Sequence, residues 1–142
     1  MLILFIIIAA VFFALCYYYW PRSQSRPWAG NIEELTEGNT NWREVVATTN
    51  NLQLVTMSVP PGRELGAEVH PGNDQFFRVE SGSAELIVGP RHYQLGPGWA
   101  AIVPSGSVHN LINRGHTPVK LYTIYGPPHH PPTRVNKYDD DF

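Results

Sequence analysis

The sequence predicts a small all-β barrel preceded by one membrane-spanning α-helix. Three observations carry that expectation. An uncharged apolar run opens the chain, turn signals then recur at short intervals, and the segments between them alternate in polarity and favour β-branched and aromatic residues. The 142 residues suffice for one domain once the N-terminal run is set aside. Thirteen prolines and twelve glycines leave little room for long helices. Ten basic and twelve acidic residues give a net charge of −2 without a Lys/Arg cluster, which excludes an electrostatic nucleic-acid footprint. Cys16 is the only cysteine, so no intramolecular disulfide can brace the fold.

Residues 2–20, LILFIIIAAVFFALCYYYW, contain no charge, amide or proline. At about 1.5 Å per helical residue they match the roughly 30 Å of bilayer hydrocarbon, and Tyr17 to Trp20 suit the headgroup level. This reading makes the chain a single-pass membrane protein that contacts lipid through residues 2–20. Pro21 stops the helix, and Arg22 and Arg26 place the barrel on the cytoplasmic side by the positive-inside rule. A cleaved signal peptide is the alternative, weakened by the length of the run and the lack of a basic start. Leu15 before Cys16 disfavours a lipoprotein site.

Residues 21–30 read as a linker, 31–126 as the barrel, and 127–142 as a Pro/His-rich then acidic tail that wraps the surface or moves freely. Residues 31–39 suit a helical turn that Gly38 and Asn39 end. From Trp42 onward, WREVVATT, LQLVTMSV, QFFRVE, AELIVG, HYQL, WAAIV, VHNLI and VKLYTIY are strand-like. Between them stand turn signals such as Pro60-Pro61-Gly62, Pro71-Gly72-Asn73-Asp74, Gly96-Pro97-Gly98 and Pro104-Ser105-Gly106. Nine or so strands and no long helix make a sandwich or barrel. Phe76, Val79, Leu86, Ile87, Leu111 and Tyr122 read as core, as do Trp42 and Trp99, although either tryptophan could line a pocket.

Two spaced motifs resemble those of the cupin family. The segment Gly98-WAAIV-Pro104-Ser-Gly106-SV-His109-NLI-Asn113 fits the second cupin motif without a mismatch. The segment Gly62-RELGA-Glu68-Val-His70-PGND-Gln75-FFRVES-Gly82 keeps every spacing of the first, with Glu68 in place of its first histidine and Gln75 in place of its glutamate. EVHPGNDQFFRVESG and KLYTIYGPPHHPP are similar to small cupins labelled as resembling mannose-6-phosphate isomerase. The resemblance covers about residues 31–135 and implies a small jelly-roll barrel. It also implies a homodimer through an edge strand, while the apolar N-terminal run suggests a place in a larger assembly.

The residues themselves locate the chemistry. Glu68 and His70, two apart on a strand, share a face, Gln75 opens the next strand, and His109 arrives from the facing one. Four polar side chains inside a barrel are costly unless paired with each other, water or an ion. Two imidazoles and a carboxylate suit a divalent transition metal (iron, manganese, nickel, cobalt or zinc), with Gln75 adding a neutral oxygen. The alternative is a metal-free network with Glu68 hydrogen-bonded to the histidines. With a metal, the chain would act on a small-molecule ligand as an isomerase, epimerase or dioxygenase, with Glu68 or His109, where free of the metal, moving protons. Without one, it reads as a structural or interaction module of a membrane-associated assembly, for instance a minor component of a membrane-containing virus particle. His92 and His116 flank turns and read as solvated. His129 and His130, between proline pairs, read as a surface strip or as the mouth of the pocket. No P-loop, dinucleotide fingerprint or nucleophile elbow is present, and the cupin turn accounts for Ser105 and Ser107.

Overall fold

The computed structural model describes residues 26–138. One short helix, α1 (Ile32–Gly38), precedes nine strands. These are β1 (Arg43–Thr48), β2 (Gln53–Val59), β3 (Asp74–Ser81), β4 (Ala84–Val88), β5 (Arg91–Leu95), β6 (Ala100–Val103), β7 (His109–Ile112), β8 (Val119–Gly126) and β9 (Val135–Asn136). They form a six-stranded sheet in the order β6-β3-β8-β2-β1-β9 and a three-stranded sheet in the order β5-β4-β7, and every named pairing is antiparallel. This is the all-β architecture expected from the turns and the jelly roll implied by the cupin resemblance.

The predicted membrane segment, residues 2–20, lies outside the described residues. Among the described residues no helix is long and apolar enough to cross a membrane. The expected single-pass placement, with the barrel on the cytoplasmic side, is therefore corrected. At about 1.5 Å per residue, the seven-residue α1 is roughly 10 Å long, a third of the hydrocarbon thickness. It is the helical turn expected over residues 31–39. Asn31 caps it by accepting from Glu34 N at 3.2 Å, and Glu33 and Glu34 complement the dipole at its start. It packs on the outer face of β2, β3 and β8, with Thr36 buried beneath it.

Period-two alternation fills the barrel in rows. One inner row runs Met57-Leu121-Val79 across β2, β8 and β3, and the next runs Val55-Thr123-Phe77. A third runs Gln53-Tyr125-Gln75-Val103 and reaches β6. The first row is apolar and the third mostly polar, so the barrel has an oily floor and a polar end. Val79, Leu86 and Leu111 are fully buried as expected. Phe76, Ile87 and Tyr122 instead sit half-buried on outer faces, because the strand pleat turns their neighbours inward. Phe76 meets Tyr122 there at 6.1 Å. Trp42 is core, whereas Trp99 is 61% exposed.

Residues 62–68 run antiparallel to β7 as an interrupted edge. Leu65 N donates to Leu111 O at 2.9 Å, and Glu64 bridges Ile112. Gly66, at φ +86°, breaks the run, so Glu68 and His70 lie on a loop with one bridge instead of on a regular strand.

Two motif residues act on the fold itself. Gly82 turns β3 into β4 at φ +76°, and a Cβ there would meet Pro118 O at 2.6 Å. Asn113 is fully buried, and its Nδ2 donates to Val59 O (2.8 Å) and Thr117 O (2.9 Å) while its Oδ1 accepts from Gly115 N (2.9 Å). Asn113→Ala strands those three groups. It should lower stability by about 2–3 kcal/mol in urea denaturation with an unchanged slope.

Candidate metal centre

The polar end of the barrel gathers side chains from four separated segments. Glu68 N donates to His109 O at 2.8 Å, and His109 N donates back to Glu68 O at 2.9 Å. Residues paired in this way carry their side chains on one face. His70 follows two positions on. Its loop is clasped to the β6–β7 turn, where Gly106 N donates to His70 O (3.1 Å) and Ser105 Oγ accepts from Gly72 N (2.7 Å). Ser105 is thus a fastener, not a nucleophile.

Glu68 Oε2 lies 3.5 Å from His70 Nε2 and 3.9 Å from His109 Nε2. One ligand atom from each of the three lies within 4.8 Å of the others, so this triad could hold a metal ion. Two details bear on the fit. His70 Nε2 is buried and has no hydrogen-bond partner, which is costly for an imidazole nitrogen unless something else occupies it. His109 Nδ1 lies 2.9 Å from the carbonyl of Ser107, which can only accept; Nδ1 therefore carries the hydrogen and Nε2 points its lone pair at the centre. Backbone-anchored Nδ1–H is the usual way to orient an imidazole toward a metal. The donor set fits a divalent transition ion.

Gln75 stands beside the triad. Its Nε2 donates to Thr123 Oγ1 (3.1 Å) and Tyr125 Oη (3.0 Å), which turns Oε1 to 3.0 Å from His109 Nε2. An amide oxygen facing an imidazole lone pair is favourable only with a proton or a cation between them.

His92 and His116 are solvated as expected, His92 pairing with Glu85 at 2.8 Å. The surface-strip reading of His129 and His130 is corrected in favour of the mouth. His129 stacks on Tyr125 at 5.2 Å and lies 4.3 Å from the His70 ring, while His130 meets Tyr125 edge-on at 5.1 Å. Buried Gln53 pins them. Its Oε1 accepts from His129 N (3.2 Å) and His130 N (2.8 Å), and its Nε2 donates to His130 O (2.7 Å). Arg43, whose charge reaches Glu68, His70 and Tyr125, was also missed. The sequence signal for both was a polar residue at an inward position, Gln53 in QLVTMSV and Arg43 in REVVAT.

Burial dominates the electrostatics. It raises the pKa of Glu68 against the pull of Arg43, His109 and His129. It also lowers those of His70 and His129, and brings His130 down to about 3, helped by Arg43. Histidines held neutral in the fold take up protons more readily when unfolded, so stability falls as pH drops below about 6.5 toward 3. Glu68 acts in the opposite sense, costing stability as pH rises past its ordinary range. Metal-free protein should therefore lose thermal midpoint from pH 7 to pH 4, and Glu68→Gln should steepen that loss. A flat profile would show that the histidines are not held neutral.

Residues 55–125 match the Cupin domain family. The chain is 38% identical over 112 residues to the uncharacterised Bacillus subtilis protein YrkC; the match spans 75% of this chain but only 60% of that relative's length, less than two thirds. An uncharacterised protein of Acanthamoeba polyphaga mimivirus is 36% identical over 118 residues, spanning 80% of this chain and 74% of the relative. A crystal structure from Bacillus halodurans superposes with a TM-score of 0.79 at 37% identity, over 80% of this chain and 91% of that one. Matched over half its length, and carrying the jelly roll with the triad at its polar end, the chain belongs to the cupin family.

Proposed function

We propose that this cupin is a metal-dependent enzyme acting on a small molecule, with Glu68, His70 and His109 as the protein ligands. The carrying observation is the convergence of two buried imidazole Nε2 atoms, one of them unpartnered, on the carboxylate of Glu68. Three protein ligands leave positions open for substrate. A bound divalent ion would supply Lewis-acid polarisation of a substrate oxygen. Gln75, already bonded to Thr123 and Tyr125, offers its carbonyl oxygen to the centre beside His109 Nε2.

Of the two residues expected to move protons, His109 is buried and committed at Nδ1, which suits a ligand. Glu68 has a side chain 25% exposed, and through an oxygen that the metal leaves free it would be the group able to exchange protons with substrate. That favours isomerase or epimerase chemistry over dioxygenase chemistry. The finer grouping with cupins labelled as resembling mannose-6-phosphate isomerase rests on Glu68, His70 and Gln75 in the first motif.

A second reading, self-association, has its own support. A groove of about 970 Å³ lies between β5 and β6, lined by Tyr93, Trp99, Ile102 and Val108 among others. Ile102 is 70% exposed, and both strands are sheet edges, which invite pairing with another copy.

Two measurements test these readings. Stripped full-length protein titrated with cobalt(II) or zinc should take up one equivalent. Glu68→Ala, His70→Ala or His109→Ala should weaken binding by about 100-fold or more, and Gln75→Ala by about tenfold. Uptake below about a tenth of an equivalent by the native chain would discard the metal. In sedimentation, Ile102→Glu should convert a dimer to a monomer; a native chain that is monomeric throughout would remove the second reading.

A further inference from the structure

Arg43 is the charged residue that the metal centre leaves unexplained. β1 places it opposite Met57, which is fully buried in the apolar inner row, so the guanidinium stem enters the barrel from a position where alternation calls for an apolar side chain. Its Nε is buried and donates to nothing. Among the described residues no carboxylate forms an ion pair with it. A guanidinium carries five donors and no means of neutralising itself, so a buried, unpaired N–H is a standing cost. A second atom repeats the pattern: Nε2 of His130 is buried without a partner. Arg43 is close enough for its charge to act on His130 and on His129, Tyr125 and Glu68 around it.

We propose that Arg43 and His130 form an anion subsite beside the metal centre that receives the carboxylate of a small organic acid. The inference rests on the metal reading for the ligand's other end. A divalent ion and Arg43 together outweigh the one negative charge of Glu68, so an anionic ligand is drawn in. The planar guanidinium fork matches a carboxylate in bidentate fashion, and His130 Nε2 adds a third contact. A phosphate dianion is less well served. Such groups are held by several basic side chains or by a run of backbone N–H donors, and here one guanidinium and one imidazole have free atoms. Gln53 makes the subsite rigid, because it holds the His129–His130 backbone at three points. Buried Tyr125 backs the subsite, and the exposed ring of His129 stacked on it supplies a flat wall on which the carbon skeleton can rest.

Malonate is a suitable probe, with neutral malonamide and inorganic phosphate as controls, measured by calorimetry on the full-length protein. On cobalt(II)-loaded native protein, malonate should bind more tightly than phosphate, and malonamide should not compete with it. Arg43→Met should lose about 10- to 100-fold in malonate affinity at undiminished cobalt stoichiometry, and Arg43→Lys should recover part of it. Full affinity in Arg43→Met would overturn the subsite while leaving the metal reading intact. Malonamide binding as tightly as malonate, or phosphate displacing it, would overturn the carboxylate assignment on the native chain alone, even if the variants fail to fold. If cobalt itself does not bind, the metal reading fails separately. The stripped native protein then decides: a malonate-induced rise in thermal midpoint that is absent in Arg43→Met upholds the subsite, and no rise overturns it.

Discussion

Two backbone hydrogen bonds between Glu68 and His109 tie the loop before β3 to the edge of β7. They help join the six-stranded sheet to the three-stranded one, and they bring the two halves of the candidate centre together. Without that bridge, the carboxylate and the imidazole would belong to separate walls of the jelly roll. The Ser105 clasp extends the same constraint to His70. Each element is small, but together they fix three side chains, from the loop before β3 and the start of β7, within reach of one ion.

The inner rows explain why the centre lies where it does. Met57, Leu121 and Val79 close one end of the barrel with apolar volume. Gln53, Tyr125 and Gln75 form a row nearer the mouth, where water or a ligand can meet polar atoms that the core cannot satisfy. Burial there keeps the His70 imidazole neutral, the form in which it ligates, and works against the charge of Glu68. The arrangement costs stability in the free protein, and a bound cation would offset that cost. Such a conflict between stability and chemistry is what marks a functional site in an otherwise consistent fold.

The cupin motifs mix two kinds of residue, and the structure separates them. Gly82 and Asn113 serve the fold: one allows a close approach to Pro118, the other caps three backbone groups. Glu68, His70 and His109 face one another. Spacing alone presents both kinds as equal members of one pattern. Only the contacts distinguish a glycine that avoids a clash from a histidine that offers a lone pair.

The sequence by itself determined the all-β class and the turn positions, through period-two alternation and turn residues, while the spacing of two motifs pointed to the family and to the meeting of Glu68, His70 and His109. It overreached where a local criterion stood in for a global one. A half-buried outer face was read as core at Phe76, Ile87 and Tyr122, and the spanning criterion placed the barrel at a membrane, although no described helix can cross one. The tertiary structure decided what joins the centre from a distance. Arg43 comes from β1, Gln53 from β2, and His129 and His130 from beyond β8, and no spacing rule links them. Their meeting is set by strand order and register, which place β1 beside β2 and β2 beside β8 and so bring the chain after β8 back over the barrel mouth.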